Sequence, residues 1–395
     1  MSLPYVRINF ANGAIGGSAA MDDGCTGIVA MVRSAVGSIN PGTPFLVTSL
    51  EELEAKGATE DVSETKALHK AAADFYSEAP KGTRLFVWPA EDEGSFDQCI
   101  LSLQRFAKGE IRIVMCPLWD DTRITERERM KQMADMLMKG CLECIKQLSA
   151  PVIALMGAYV DPGDQDTSEY AMPVRYDYGR VGVVVGDYSY ASKNASVGLV
   201  AGRMAAIPVQ RSIGRVRDGA IAVPSGTYMT VRGVDAAQMP YDLAEALHKC
   251  HYIFPRTFTG KSGYYWADDP LATEDADDYC LIPRRRVADK AYRVAYKAML
   301  DDVNDEIAVT AEGKIVPAVA KGIETAIESA VVKNMTRYGN LSTDPDDPND
   351  TGVIAYVDPD QDIVATSHLD VKLRIRPYGY AKYIDVDLGF QTTNN

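Results

Sequence analysis

Only a few residues in this chain have types and spacings that could support chemistry, and the first group suggests phosphate binding. Gly260, Lys261 and Ser262 resemble the end of a phosphate-binding loop, in which backbone N–H groups and a lysine hold the phosphates. That loop requires a glycine five residues before Gly260, where the chain has Pro255, and no helix pattern follows Ser262. The pattern therefore favours a turn between two strands.

The cysteines and histidines suggest metal binding or redox chemistry, but their spacing is incomplete. Cys141 and Cys144 are spaced as in zinc and redox motifs, yet they lie inside a predicted helix and no second pair exists. His248, Cys250 and His251 could supply metal ligands, but the chain has four histidines and no clear fourth ligand. We expect structural roles for all five residues.

Two loops imitate ligand-binding motifs. Residues 347–358 echo a calcium loop, but its twelfth position is Asp358 instead of glutamate and no helices flank it. Residues 13–27 are rich in glycine but lack the dinucleotide fingerprint after a first strand. We therefore predict no catalytic residue, no cofactor, no metal site and no enzymatic activity.

One charged group remains, on a predicted helix that begins near residue 284. It consists of four basic residues at spacings of four, three and four, which share one helix face: Arg286, Lys290, Arg293 and Lys297. Asp289 is the only acid in that stretch. This face is either merely solvated or docks onto an acidic protein surface. The acidic loop just before it, residues 268–278, could meet the same face on a neighbouring copy.

Composition limits the classes of protein to which this chain can belong. Its 395 residues suffice for two or three domains with hydrophobic cores. A net charge of −14 disfavours general affinity for nucleic acids or acidic membranes. Seven cysteines, most of them in apolar or helical stretches, fit buried thiols in a reducing cytosol. No apolar run reaches the roughly 18 residues that a membrane-spanning helix needs, and no signal-peptide pattern is present.

The order of the predicted elements indicates an α/β protein. Strands and helices alternate along the first half of the chain, which is typical of layered sheet-and-helix domains. The predicted strands are residues 44–48, 84–88, 111–116, 151–156 and 181–185, and the predicted helices are residues 63–77, 95–107, 125–148 and 195–207. We predict a terminal strand and flexible tether at residues 1–20, an α/β domain at 21–233 with a long loop at 161–178, and a C-terminal α/β domain at 234–395.

Both ends of the chain are predicted to be strands without a partner close in sequence. Residues 5–10 and residues 380–390 alternate between apolar and polar side chains, and a Gly/Ala/Ser tether follows the first strand at residues 11–20. An unpaired strand edge favours pairing with another chain. Two interpretations stay open: each strand pairs within its own domain, or it completes a sheet in a neighbouring copy.

Several stretches resemble contractile-tail sheath proteins of phages, prophages and phage-derived injection systems. The resemblance rests on residues 45–53, 197–206, 243–247, 252–254, 259–270, 278–282, 286–296 and 373–383. It implies a structural subunit that polymerises helically around an inner tube and contracts to drive the tube through a target envelope. The fold that it implies is α/β, with layered sheath domains whose terminal strands are exchanged between subunits.

The resemblance also assigns candidate contact residues. The inter-subunit strands would carry Tyr5, Val6, Ile8, Phe10, Tyr383, Ile384, Val386, Leu388 and Phe390. Tube docking would use the basic face of Arg286, Lys290, Arg293 and Lys297, or the helix with Lys321, Glu324 and Glu328. The expected partners are further copies of the chain, an inner tail tube protein, and baseplate and terminator or cap proteins, without nucleic acid or membrane insertion. The expected location is a virion or extracellular contractile particle, assembled in the bacterial cytoplasm.

Two other classes of function stay open from the sequence. The alternation of strands and helices also suits an α/β nucleotide-binding enzyme, in which Lys261 would be the residue to test. The basic helix face would also suit a nucleic-acid binder whose affinity falls with salt.

Overall fold

The computed structural model describes residues 22–117, 127–159, 172–188, 195–231 and 233–390. The chain divides into two compact units, Met1–Val303 and Asn304–Asn395. The predicted boundary at residues 233/234 does not coincide with this division. Strand pairing explains the difference, because a strand near residue 252 belongs to the large sheet of the first unit.

The described chain contains the following strands and helices. The strands are β1 Thr26–Met31, β2 Phe45–Val47, β3 Leu85–Ala90, β4 Ile113–Cys116, β5 Ile153–Gly157, β6 Val181–Val184, β7 Thr230–Val231, β8 Val234–Asp235, β9 Tyr252–Ile253, β10 Pro255–Arg256, β11 Tyr265–Trp266, β12 Val353–Val357 and β13 Val371–Ile375. The α-helices are α1 Leu50–Ala55, α2 Lys66–Glu78, α3 Phe96–Phe106, α4 Arg127–Leu148, α5 Val197–Ala206, α6 Tyr241–Lys249, α7 Ile282–Met299, α8 Pro317–Asn334 and α9 Ile363–Thr366.

A seven-stranded sheet forms the centre of the first unit, in the order β2-β3-β1-β4-β5-β6-β9. All neighbours pair in parallel except β2 and β3, which are antiparallel. Parallel strands need long crossover connections, and helices supply them here. The α/β class and the strands and helices predicted between residues 44 and 207 are confirmed.

Both faces of this sheet are buried under helices. Successive residues of β1 alternate between two apolar clusters, with Ile28 and Ala30 in one and Val29 and Met31 in the other. Helices α2 and α5 cover the first cluster, and α3 and α4 cover the second. A strand buried on both faces has a continuous apolar sequence instead of an alternating one.

The strand β1 lies between β3 and β4, and our sequence analysis missed it. All six of its residues are buried. The glycine-rich stretch that ends at Gly27 was interpreted as a loop, which concealed the apolar run that follows. In the sheet this glycine leaves room for a neighbouring side chain, since a Cβ at Gly27 would lie 3.0 Å from a methyl group of Leu103.

Small residues let α5 pack very closely against α2. A Cβ on Gly198 would overlap the carbonyl oxygen of Ala71, and a Cβ on Gly202 would lie 2.5 Å from the carbonyl oxygen of Phe75. The ion pair of Arg203 with Glu78, at 2.6 Å, joins the same two helices. The small residues of the helix predicted at residues 195–207 therefore allow close contact between the backbones of α5 and α2.

In the second unit, α8 packs on the antiparallel pair β12–β13. The paired register joins Val353 to Ile375 and Val357 to Val371. Ile315, Ala320 and Val357 form the buried cluster beneath this sheet. Residues 376–390 follow β13 and belong to no helix or strand. The strand predicted at residues 380–390 is thus not formed in the single chain.

We expect Gly198→Ala to destabilise the first unit by about 1–3 kcal/mol, because the added methyl group forces α5 away from α2. The midpoint of urea unfolding, followed by circular dichroism, measures this loss. Gly322→Ala on α8 is the matched control, since its Cβ meets no atom within 4 Å. There, the gain in helix propensity raises stability by about 0.5–1 kcal/mol. A wild-type midpoint for Gly198→Ala would contradict the close packing.

Candidate assembly interface

The sequence motifs that suggested chemistry occupy structural positions. Gly260, Lys261 and Ser262 lie in the turn that joins β10 to β11, as predicted, and no helix begins there. All seven cysteines are buried, and burial raises the pKa of the Cys141 thiol to about 12. In the described ranges, no cluster of three or more histidine, cysteine or acidic residues could hold a metal ion.

The histidines and the acidic linker also make contacts within the fold. His248 contacts Asp268 at 3.3 Å, and the ring nitrogens of His251 contact Asp275 and the carbonyl oxygen of Leu271. In the linker, Asp350 accepts hydrogen bonds from the Asp344 and Gly352 amides and from Arg376. These contacts support the structural interpretation of both motifs. Among the described helices, none is both long and apolar enough to cross a bilayer.

The basic face of α7 packs against Asp23. The Nζ of Lys290 lies 2.5 Å from one carboxylate oxygen of Asp23, and an Nη of Arg293 lies 2.9 Å from the other. Arg286 is buried and donates to the carbonyl oxygens of Asp23 and Ile207. The expectation of an exposed basic face is therefore wrong for these three residues, and only Lys297 of the four is exposed.

The environment of Asp23 keeps its carboxylate ionised. Burial alone would raise its pKa, but the charges of Lys290, Arg293 and Arg286 outweigh that effect and hold the pKa below its ordinary value. Nearby, Arg180 forms a bidentate pair with Asp289 at 2.8 Å for both contacts. Asp289, the one acid within the basic stretch, therefore also forms an ion pair inside the first unit.

Two glutamates of α8 accept hydrogen bonds from one edge of the β12–β13 sheet. Glu328 accepts a hydrogen bond from the Ala355 amide, and Glu324 accepts one from the Val357 amide, each at 2.9 Å. Lys321 pairs with Glu324 at 2.8 Å and stays largely exposed. The Lys321 contact and the Val357 amide both lower the pKa of Glu324. The two glutamates therefore satisfy a strand edge, which is a correction to their predicted role in tube docking.

The end of the described chain is an exposed apolar segment. We define the C-terminal segment as residues 383–390. Its large side chains are exposed, with Tyr383 at 77%, Ile384 at 76%, Val386 at 79%, Leu388 at 96% and Phe390 at 103%. Asp385 and Asp387 alternate with these apolar residues. A run of exposed apolar residues at strand spacing is typical of a surface that a partner covers. The predicted N-terminal strand, with Tyr5, Val6, Ile8 and Phe10, lies outside the described residues.

Two sets of contacts within the chain were not predicted from the sequence. No sequence pattern indicated a role for Asp23, because its partners on α7 lie more than 250 residues away. The edge contacts of Glu324 and Glu328 had a weak signal, since their spacing of four places both on one face of α8. A sequence pattern shows that such residues share a face but not what that face contacts.

Family models match nearly the whole chain. The model described as DUF2586, N-terminal domain, matches residues 3–270, and the model described as DUF2586, C-terminal domain, matches residues 278–395. None of the curated proteins compared with this chain matches it.

Two solved structures align with nearly the whole chain. A chain of the anti-feeding prophage (AFP) baseplate, solved by cryo-EM, aligns with a TM-score of 0.64 at 15% identity over 99% of this chain and 100% of that chain. The crystal structure of a sheath tail protein from Desulfitobacterium hafniense aligns with a TM-score of 0.47 at 9% identity, over 94% of this chain and 100% of that chain. The first alignment shows that the two chains share a fold.

We expect Asp23→Asn to lower stability at pH 7 by roughly 2–4 kcal/mol, because it leaves Lys290 and Arg293 half-buried without their counter-charge. The pKa of Asp23 is lowered in the folded state, so its contribution is present above about pH 3.8 and disappears as the pH falls through the folded value. The urea midpoints of wild type and variant should therefore differ strongly at pH 7 and by less at pH 3. Asp61→Asn, at an exposed loop position, is the control. An equal gap at both pH values would contradict the role of this carboxylate.

Proposed function

This chain belongs to the DUF2586 family, and we propose that it is a structural subunit of a contractile phage-like tail, polymerising as a sheath around an inner tube. The observation that carries this proposal is the exposed C-terminal segment, which has the alternation of a strand and no partner backbone within the described chain. Such a strand gains its main-chain hydrogen bonds when it joins the sheet of another copy. The fold shared with a baseplate chain of the anti-feeding prophage supports the same class of particle.

The architecture suits a part that moves as a solid body. The first unit has a doubly covered parallel sheet, and buried ion pairs such as Arg180–Asp289 connect its elements. Contacts between copies that do not close into a ring generate an open helix. Exchanged terminal strands would keep neighbours linked while these bodies rotate during contraction, which repacks them more tightly and drives the tube forward.

The proposed partners are further copies of this chain, an inner tube protein, and the baseplate and terminator or cap proteins at the ends of the sheath. Of the side chains predicted to contact the tube, Lys297 and Lys321 are exposed, and we retain these two as candidates. Exposed charge pairs are weak, so a tube contact that relies on them breaks easily when the sheath moves. The proposed location is the assembled particle.

We expect a chain that ends at Gly379 to stay monomeric or to form short oligomers, because it lacks the C-terminal segment. Negative-stain electron microscopy and sedimentation velocity of the purified protein measure the loss of tubes. The matched control ends at Phe390 and lacks only residues 391–395, and it should assemble as the wild type does. Tubes of wild-type length from the shorter chain would rule out exchange of this segment.

Deletion of residues 1–20 should likewise leave monomers or short rings, since it removes the predicted N-terminal strand and its tether. The same microscopy applies, with a control that lacks only residues 1–4 and keeps the alternating residues 5–10. The first deletion ends before Asp23, so the contact of Asp23 with α7 is retained and the fold of the first unit should be unchanged. Full-length tubes from this variant would refute the proposed role of the N-terminus.

A further inference from the structure

The solvent face of the β12–β13 sheet carries an apolar row beside a cationic row. Ile354 and Tyr356 of β12 are exposed on this face, Ile354 at 63%. Lys372 and Arg374 of β13 are exposed beside them, each opposite one of the two apolar residues in the paired register. The Nζ of Lys372 lies 5.9 Å from the centre of the Tyr356 ring. We call these four residues the cationic sheet face.

The two cations of this face form no ion pair within the described residues. In residues 304–395, fifteen acidic side chains accompany eight lysines and arginines, so carboxylates are abundant. Lys314, Lys321 and Arg376 each pair with one of them. Lys372 and Arg374 instead direct their charges to solvent beside exposed apolar side chains. An exposed apolar patch bordered by charge is typical of a protein–protein contact.

The end of α7, in the first unit, has the opposite charge. The helix ends at Met299, and a single 3-10 turn follows at Leu300–Asp302. Asp301 and Asp302 lie between Leu300 and Val303 in the sequence, and all four side chains are exposed, Val303 at 66%. We call residues 300–303 the acidic helix end. It combines two carboxylates with two apolar side chains, as the cationic sheet face combines two cations with two apolar side chains.

The position of these carboxylates favours a cationic partner. The last carbonyl groups of a helix carry a partial negative charge, so a cation is stabilised at a helix C-terminus and a carboxylate is not. Lys297 is the basic residue in the last turn of α7, and its single charge offsets only one of the two carboxylates. Docking of a surface with two cations would remove the remaining repulsion.

We propose that the acidic helix end of one copy docks onto the cationic sheet face of a second copy. The two carboxylates then pair with the two cations, and the apolar side chains of the helix end cover the apolar row of β12. Both surfaces are exposed in the described chain, so neither is covered in a single copy. The contact joins two different surfaces, so it can repeat from copy to copy along a helix. The inference rests on the proposed function, for which it names a contact between copies.

Two other acidic stretches of the chain fit the cationic sheet face less well. In the linker, Asp344 and Asp347 accept hydrogen bonds from backbone amides. In the acidic loop before α7, Asp275 contacts His251, and Asp277 accepts a hydrogen bond from the amide of Tyr279. These carboxylates already have contacts within the fold. The acidic helix end offers exposed carboxylates with apolar side chains on both sides.

Charge reversal on each side tests the pairing in the full chain. The helix-end variant is Asp301→Lys with Asp302→Lys, and the sheet-face variant is Lys372→Glu with Arg374→Glu. Each variant alone should raise the critical concentration for assembly about tenfold, because its two surfaces then carry like charges. A mixture of the two, and the chain with all four changes, should return to the wild-type value. Pelleting and negative-stain microscopy measure this concentration.

Matched variants control for the change in net charge. Glu60→Lys with Asp61→Lys reverses two adjacent exposed acids of the first unit. Lys333→Glu with Arg337→Glu reverses two exposed bases of the second unit. Both controls should assemble at the wild-type concentration. Circular dichroism spectra identical to those of the wild type confirm that all variants are folded.

Chemical cross-linking measures the same contact without requiring long polymers. Full chains with Val303→Cys are mixed with full chains with Ile354→Cys and treated with a short bismaleimide. The seven native cysteines are buried, so the introduced thiols react first. Mixed dimers should form several times faster than in the control, in which Tyr338→Cys, at another exposed position, replaces Val303→Cys. Added salt should slow this reaction, because it screens exposed charges.

The outcomes separate this inference from the proposed function. Equal cross-linking of the Val303→Cys and Tyr338→Cys chains overturns the docking, even if wild-type tubes form. Impaired assembly of the sheet-face variant but not of the helix-end variant overturns the acidic helix end as the partner. Recovery in the chain with four changes but not in the mixture overturns a contact between copies. Salt-sensitive mixed cross-links in a protein that forms no tubes or rings support this inference and overturn the proposed sheath.

Discussion

The main constraint on this molecule is that a strand edge needs partners for its backbone amides and carbonyls. In the first unit, the seven-stranded sheet satisfies most of them internally. In the second unit, two carboxylates of α8 accept hydrogen bonds from the amides at one edge of a two-stranded sheet. The exposed C-terminal segment has the same requirement for its own backbone groups, and the proposed assembly would supply partners for them.

Several ion pairs of this protein lie inside the fold. The basic residues of α7 hold Asp23, Arg180 holds Asp289, and Lys70 lies 2.8 Å from both Asp74 and Asp187. Apart from Lys70–Asp74, which lies within α2, these pairs join parts of the chain that are distant in sequence, so they fix how helices and strands pack together. Removing one member of such a pair leaves the other charge buried without a partner. The resulting loss of stability is far larger than the stability that an exposed pair contributes. A net charge of −14 therefore says little about which surfaces contact a partner.

The sequence predicted the elements well where periodicity and length agreed, as for α2, α3 and α4. It failed at β1, because a strand that is buried on both faces lacks alternation and follows a glycine-rich run. It also failed on the exposure of Arg286, Lys290 and Arg293, since spacing shows a shared face but not its partner. The alternation of the C-terminal segment is visible in the sequence, but its exposure could be learned only from the structure.

The position of Asp23 has a mechanical consequence. Any tension carried by the residues before it reaches the first unit at a carboxylate held by two cations of α7, before it reaches β1. The load is thus shared with a helix of eighteen residues, and the strand between β3 and β4 is protected from being unzipped from its end. If the predicted tether at residues 1–20 carries load in the proposed assembly, this anchor would let it pull on the first unit without separating β1 from its neighbours.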